Sequence, residues 1–391
     1  MRLAPTIALM LLGLIGGTPS LGICQQDASE DAQVIAAAIS ILRESFVRPL
    51  DEATIASNSV ADLLRKIDPD HGQYLTKEEI GLLRSSQTVD LGLSFRRRDR
   101  EIQVVPRAQW PAALAGLKLG DRLEQIDGQD TQGMGLWELH KLLSSPRQRV
   151  TLTVRRGDSA LSFVINVPKA SDLPRRVQVH WPAPDILVLG VQALSNAVLK
   201  ESVEVLSRHW RRDIRGIIVD LRGNFGGELS SAVGFASMFL PDNSIVATFR
   251  SNSSFVNNHQ LRATPNDYSR RGTPDPLRNL PAATRTIPLA VVIDESTSAG
   301  AEIIASAVQH HQRGIIVGKQ SAGATSIRTL SALPNGAVMM YTSAFGQSPS
   351  GKQINDVGLV PDVPVSSSEP EAAIAAAVLA LSASRRGAIK E

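Results

Sequence analysis

Three short runs made almost wholly of apolar residues constrain this chain most: GIIVDL (216–221), LAVVID (289–294) and GIIVG (314–318). Each is too short for a buried helix, and none shows the alternation of a strand with one wet face. Such runs suit strands buried on both faces of a parallel sheet. DILVLGVQ (185–192) predicts a further strand. Helical stretches lie between them. After Asn196, the residues Leu199, Val203, Leu206 and Trp210 fall on one stripe, and further helices are expected near 229–239 and 301–310. This alternation predicts an α/β core, layered around a largely parallel sheet, over 175–385. Residues 251–286, rich in Ser, Asn, Arg and Pro, read as an exposed loop or lid, and an Ala-rich helix at 369–384 closes the chain.

Two other patterns precede that core. Residues 31–85 form an N-terminal helical segment, with Val34, Ala37, Ile41, Leu42 and Phe46 on one stripe and SVADLLRKI ending at Asp68-Pro69. Thr76 followed by Glu79 predicts a capping box. The acidic residues of DPDHGQYLTKEE do not make a calcium loop, because the glycine comes one place early and the middle ligands are missing. Over 86–168 the pattern changes to short alternating strands, EIQVVP, RLEQIDG, RVTLTVRRG and LSFVINV, with GLWELHKLL as one helix among them. Arg96, Arg97 and Arg98 read as a solvated hairpin face.

The first residues read as an export signal, residues 1–22: Arg2, then an apolar core at 7–17 too short to span a membrane, then small residues before a cleavage point after Gly22. The mature protein is expected to be periplasmic or otherwise extracytoplasmic. Membrane contact is expected only if Cys24 is lipidated, and Ile23 stands where a lipoprotein signal normally has a small residue. Cys24 is the only cysteine, so no internal disulfide or cysteine metal cluster can form. Lys+Arg 41 against Asp+Glu 38 leaves a formal charge of +3, which argues against nucleic acid as a partner. No metal-ligand spacing, phosphate loop or nucleotide fingerprint appears, and no cofactor or metal is expected.

Residues 86–168 resemble a PDZ module. Leu91, Gly92, Leu93, Ser94 and Phe95 look like its carboxylate-binding loop, and PAALAGLKLGDRLEQIDG (111–128) like its signature core. A loop of exposed N–H groups beside an open strand edge can take the end of an extended peptide. The segment 294–327, DESTSAGAEIIASAVQHHQRGIIVGKQSAGATSI, resembles the active-site segment of the carboxy-terminal processing (tail-specific) serine peptidases. IIVDLRGNFGG (217–227), with Phe225 where proline is usual, AVMMYTSAFGQSPSGKQIN and VGLVPDVPV (357–365) resemble further parts of that family. The likeness covers nearly all of the mature chain.

The resemblance implies a serine nucleophile, a lysine base kept neutral by desolvation, and backbone N–H groups for the oxyanion. Matching Glu302, Ile303, Gln309, Arg313 and Val317-Gly318 to the family puts Ala299 at the nucleophile, His310 at a usual aspartate and Ala324 at the lysine. A methyl group can neither attack a carbonyl nor accept a proton. Gly226 and Gly227 remain as oxyanion candidates. Ser298 is the one candidate for a nonstandard catalytic nucleophile, with Ser296 and Thr297 close by. Lys319, His310 and His311 are the nearby bases, and Asp220, Arg222, Lys352 and Asp362 read as structural. The expected protein is an exported binder of polypeptide C-termini or unfolded exported proteins, with impaired or lost serine peptidase activity. Two alternatives stay open: an active serine endopeptidase that trims exported proteins through Ser298, and an adaptor of an active peptidase paralogue.

Overall fold

A computed structural model describes residues 22–85, 90–98, 101–143, 147–169, 172–257, 259–367 and 369–388. Residues 1–21, which hold most of the expected export signal, lie outside the described residues, and Cys24 is described only by its place in the helix Gly22–Ser45. Among the described residues no helix is long and apolar enough to cross a membrane.

The apolar runs form the expected sheet. Its six strands lie in the order Val363–Pro364, Ile315–Gly318, Leu289–Ile293, Gly216–Asp220, Ile186–Val191, Val177–Ala183, all parallel except the last pair. Leu289–Ile293 is buried at every position because helices cover both faces. One face packs on the helices Asn196–His209, Leu229–Ser237 and Gly300–His310; Ala373, Ile374, Ala377 and Leu381 of Pro370–Ala388 cover the other. The fold is therefore layered α/β.

A second, antiparallel sheet orders Gln73–Leu75, Val338–Gln347, Ile245–Arg250 and Gln260–Arg262, with Ser326–Ala332 also paired to Val338–Gln347. The N-terminal helices close it. Val34, Ala38 and Leu42 of one helix and Leu63 and Leu64 of Val60–Ile67 pack on Met339, Tyr341 and Phe345. The Thr76–Glu79 capping box is present in both directions, at 3.1 and 3.3 Å.

A third sheet, Leu93–Arg98, Glu101–Pro106, Arg122–Ile126, Arg149–Arg156 and Ser159–Asn166, is antiparallel throughout and is the PDZ module. Leu93–Arg98 is an edge strand beside the helix Leu136–Leu143. The other edge of Leu93–Arg98 is left unpaired among the described strands.

Two expectations need correcting. Residues 251–286 are not a free lid: Ala263, Tyr268 and Leu277 are buried in the main core, and the helix Pro265–Tyr268 packs on Leu229–Ser237. The arginines at 96–98 are not a simple solvated face either, since Arg96 donates to Gln103 at 3.0 Å and Arg97 pairs with Asp70 at 2.5 Å.

Leu42 has no exposed surface. Leu42→Ala is expected to lower the unfolding free energy by about 2–5 kcal/mol, read by urea denaturation.

Candidate functional site

The site forms where two parallel strands end side by side. Gly216–Asp220 runs into the turn 221–227, and Leu289–Ile293 runs into 294–299 and the helix Gly300–His310. Asp294 ties the two together. Its Oδ1 accepts from Ser296 N (3.1 Å), Ser296 Oγ (2.7 Å), Thr297 N (2.9 Å) and, across the gap, Gly223 N (3.3 Å). Ser296 and Thr297 are thereby bound into the turn and are not free nucleophiles.

Asn224, fully buried, makes the second tie. Its Nδ2 donates to Val191 O and its Oδ1 accepts from Gly226 N, both at 2.8 Å, while its carbonyl accepts from Ser298 N at 3.0 Å. The Gly226 amide is therefore already engaged. Among the described residues, the amides of Phe225, Gly227 and Gly300 have no acceptor, and the two glycine amides flank the Ala299 methyl. Both turn glycines are forced. Gly227 has φ 148°, and a Cβ there would lie 1.9 Å from Leu194 O; Gly226 has φ 82°.

A Cβ on Gly226 would meet Ala299 Cβ at 2.6 Å, Gly300 N at 2.9 Å and Ser298 O at 3.2 Å. The atom aimed at the glycine turn is thus the methyl of Ala299, whereas Ser298 presents its backbone carbonyl. Ala299 has φ 52° and ψ −122°, a conformation that costs a non-glycine residue about 1–3 kcal/mol. Its side chain cannot cap the helix that follows. The cap comes from the other direction, with Ala299 N donating to Glu302 Oε2 at 3.0 Å.

Glu302 has no exposed surface and receives four hydrogen bonds. Oε1 accepts from Ser321 Oγ (2.5 Å) and Gly323 N (2.7 Å); Oε2 accepts from Ala299 N and from Ala324 N (2.9 Å). Burial pushes its pKa up, and the four donors and the helix N-terminus oppose that shift. The amides of Ala299 and Ala324 share one carboxylate oxygen, each within 3.0 Å, so the two nitrogens lie no more than about 6 Å apart. Ala324 is exposed and Ala299 half-buried, which leaves both methyl groups at the surface of the site.

The other candidate bases lie elsewhere. His310 and His311 are at the far end of an 11-residue helix, about 16 Å along its axis from Ala299, and His311 Nε2 is held at 2.8 Å from Ile245 O. Lys319 pairs with Glu295 at 3.3 Å. Arg222 grips Asp220 through two bonds, at 2.9 and 2.6 Å, and reaches Pro370 O. Asp362 accepts from Gln309 Nε2 and Ile316 N. These contacts brace the sheet ends.

The PDZ module is fastened to this site by Arg107 and Trp110, which carry no sequence signal, and by Phe225. Arg107, 5 % exposed, donates Nε to Gly223 O at 2.9 Å, and its guanidinium lies 4.6 Å from the ring centres of both Trp110 and Phe225. Each stacking contact is worth about 0.5–2 kcal/mol. Trp110 Nε1 donates to Gln192 Oε1 at 2.5 Å. In the loop expected to take a peptide carboxylate, Leu91 and Phe95 are buried, and Leu93 and Ser94 are half-buried on the edge strand. The Gly92 amide donates to Asp90 Oδ1 at 2.9 Å, so this amide too is engaged; Asp90 pairs in turn with Arg176 at 3.1 Å.

Residues 185–365 match peptidase family S41, and residues 105–156 match the PDZ domain. The chain is 27% identical over 334 residues to a carboxyl-terminal-processing protease of Synechocystis sp., covering 82% of this chain and 74% of that protein. It is 28% identical over 341 residues to a carboxy-terminal-processing protease of Bartonella bacilliformis, covering 84% and 74%. Among solved structures it is similar in fold to the photosystem II D1 C-terminal processing protease, with a TM-score of 0.67 and 20% identity over 86% of this chain and 93% of that one.

Glu302→Gln replaces an acceptor oxygen with an NH2 group that meets only donors. It is expected to cost about 1–3 kcal/mol, seen as a lower thermal midpoint, with the unfolding transition remaining cooperative.

Proposed function

We propose that this chain, which belongs to the carboxyl-terminal-processing, S41-type peptidases with a PDZ module, is an exported protein that captures polypeptide C-termini without cutting them. One observation carries this reading: the two residues brought together on Glu302 Oε2, beside the glycine turn, are alanines. Hydrolysis needs an atom that can attack the carbonyl and another that can take its proton. Neither methyl can do either, although the strained turn and the open Gly227 and Gly300 amides are kept. Open oxyanion donors without a nucleophile leave positioning but little rate.

Binding is supported by the free edge of Leu93–Arg98 and the facing helix Leu136–Leu143. Together they offer backbone pairing for an extended peptide, over a module core that includes Leu91, Leu139 and Leu143. The reading of Ser298 as a nucleophile has less support, since its carbonyl rather than its side chain is what Gly226 meets. An extracytoplasmic location rests on the leader-like first residues.

A peptide with an apolar C-terminus is expected to bind and to stay intact over long incubation with the wild-type chain. Ala299→Ser together with Ala324→Lys is expected to raise peptide cleavage by about a hundredfold or more over the wild type, and either substitution alone by far less. Wild-type cleavage abolished by Ser298→Ala would overturn the reading.

A further inference from the structure

The end of the main sheet remote from the glycine turn carries positive charge that neither the site nor the PDZ module uses. The last residues of the helix Asn196–His209 and the loop leading to Gly216–Asp220 read RHWRRDIR (208–215). That run holds four arginines and one acid, Asp213, in a chain whose formal charge is only +3. Arg208, Arg211, Arg212 and Arg215 are all exposed.

Contacts hold this loop in place. Arg211 is the brace: its guanidinium lies 3.9 Å from the ring centre of Trp181, pairs with Asp213 at 3.3 Å and reaches Pro184 O. Arg215 N donates to Asp185 O at 2.7 Å, and Ser207 Oγ donates to Asn279 O at 2.9 Å, which brings the exposed Arg278 alongside. Among the described residues, the guanidiniums of Arg208, Arg212, Arg215 and Arg278 have neither a hydrogen bond nor an ion pair. Asp185 and Glu204 are the other acids along this stretch.

Two tryptophans belong to the same surface. Trp181 and Trp210 are half-buried, each packed in part against the main core. Neither indole N–H has an acceptor among the described residues. An indole set among cations, apolar in body and polar at its tip, suits the headgroup level of a bilayer.

The strands put this surface far from the site. In the pairing of Val177–Ala183 with Ile186–Val191, Val177 meets Val191 at the end near the PDZ module, and Ala183 meets Ile186 at the other. Gly216–Asp220 likewise starts beside Arg215 and ends at the glycine turn. One strand length, about 15 Å, therefore separates the arginines from that turn.

We propose that this end of the sheet docks the protein on an anionic phospholipid surface. Arg208, Arg212, Arg215 and Arg278 meet the lipid phosphates, and Trp181 and Trp210 sit at headgroup level. Free guanidiniums gain charge-assisted bonds to phosphate without breaking any bond within the fold. Duplex nucleic acid offers the same phosphates but no water–hydrocarbon boundary for the indoles, so the aromatic pair favours lipid. The folded surface makes this contact, not Cys24, and the glycine turn is left on the side away from the lipid. The inference is independent of peptide capture.

The test is co-sedimentation of the full chain, produced without lipid modification, with vesicles of phosphatidylcholine alone or mixed with phosphatidylglycerol. At low salt, binding to the mixed vesicles is expected to be at least about tenfold tighter, and to weaken as salt is raised. Arg208→Gln, Arg212→Gln and Arg215→Gln together are expected to weaken it about a hundredfold, each charge counting for about fivefold. The thermal midpoint is expected to stay unchanged, because these side chains make no bond within the fold. Equal binding to both vesicles, binding to neither, or binding that survives the triple substitution overturns the proposal. So does displacement from the mixed vesicles by duplex DNA at a lower phosphate concentration than the lipid supplies.

Discussion

A carboxylate sealed from water has to find its hydrogen bonds within the protein, and Glu302 finds four of them on two separate pieces of chain. Much of the site's geometry follows from that requirement. One donor, the Ala299 amide, belongs to the turn that follows Leu289–Ile293; the other three, the Ser321 hydroxyl and the amides of Gly323 and Ala324, belong to the loop that follows Ile315–Gly318. Releasing any of them would leave part of a buried charge unmatched, at several kcal/mol for the charge as a whole. The carboxylate therefore holds residues 299 and 324 at a fixed separation whatever side chains they carry. The shape of this turn is set by the carboxylate and its donors and not by the side chains of residues 299 and 324.

Much of the fold was legible in the sequence for a physical reason. Strands buried on both faces admit little but Val, Ile, Leu and Ala, so GIIVDL and LAVVID announce themselves. The capping box at Thr76 and Glu79 was equally readable, because both partners lie within one turn. The segment 251–286 misled because its polar composition hides a few anchors: Tyr268 and Leu277 are single buried residues in a polar setting, without any period.

The site was readable in outline and opaque in its contacts. The register through Glu302 placed Ala299 and Ala324, but the sequence does not reveal that both amides end on one oxygen of that residue. Nor does it reveal that Asn224 takes up the Gly226 amide, or that Asp90 takes up that of Gly92. Such bonds depend on the turns closing first. Arg107, Trp110 and Phe225 were invisible as a group because Phe225, more than a hundred residues further along the chain, meets Arg107 only when the PDZ module docks. Phe225 stood out only as an odd residue at a place where proline is usual.

The backbone at Ala299 carries a last implication, for what this position can accept. A φ of 52° beside a glycine turn already touched by its methyl leaves almost no room for growth. β-branched residues are disfavoured there by the backbone and bulky ones by the neighbouring turn. Glycine would relax the strain and serine would fit it. Position 299 therefore behaves as a narrow gate in sequence space, open to a few small residues. Among those few, the step from an inert side chain to a nucleophilic one is a single oxygen atom.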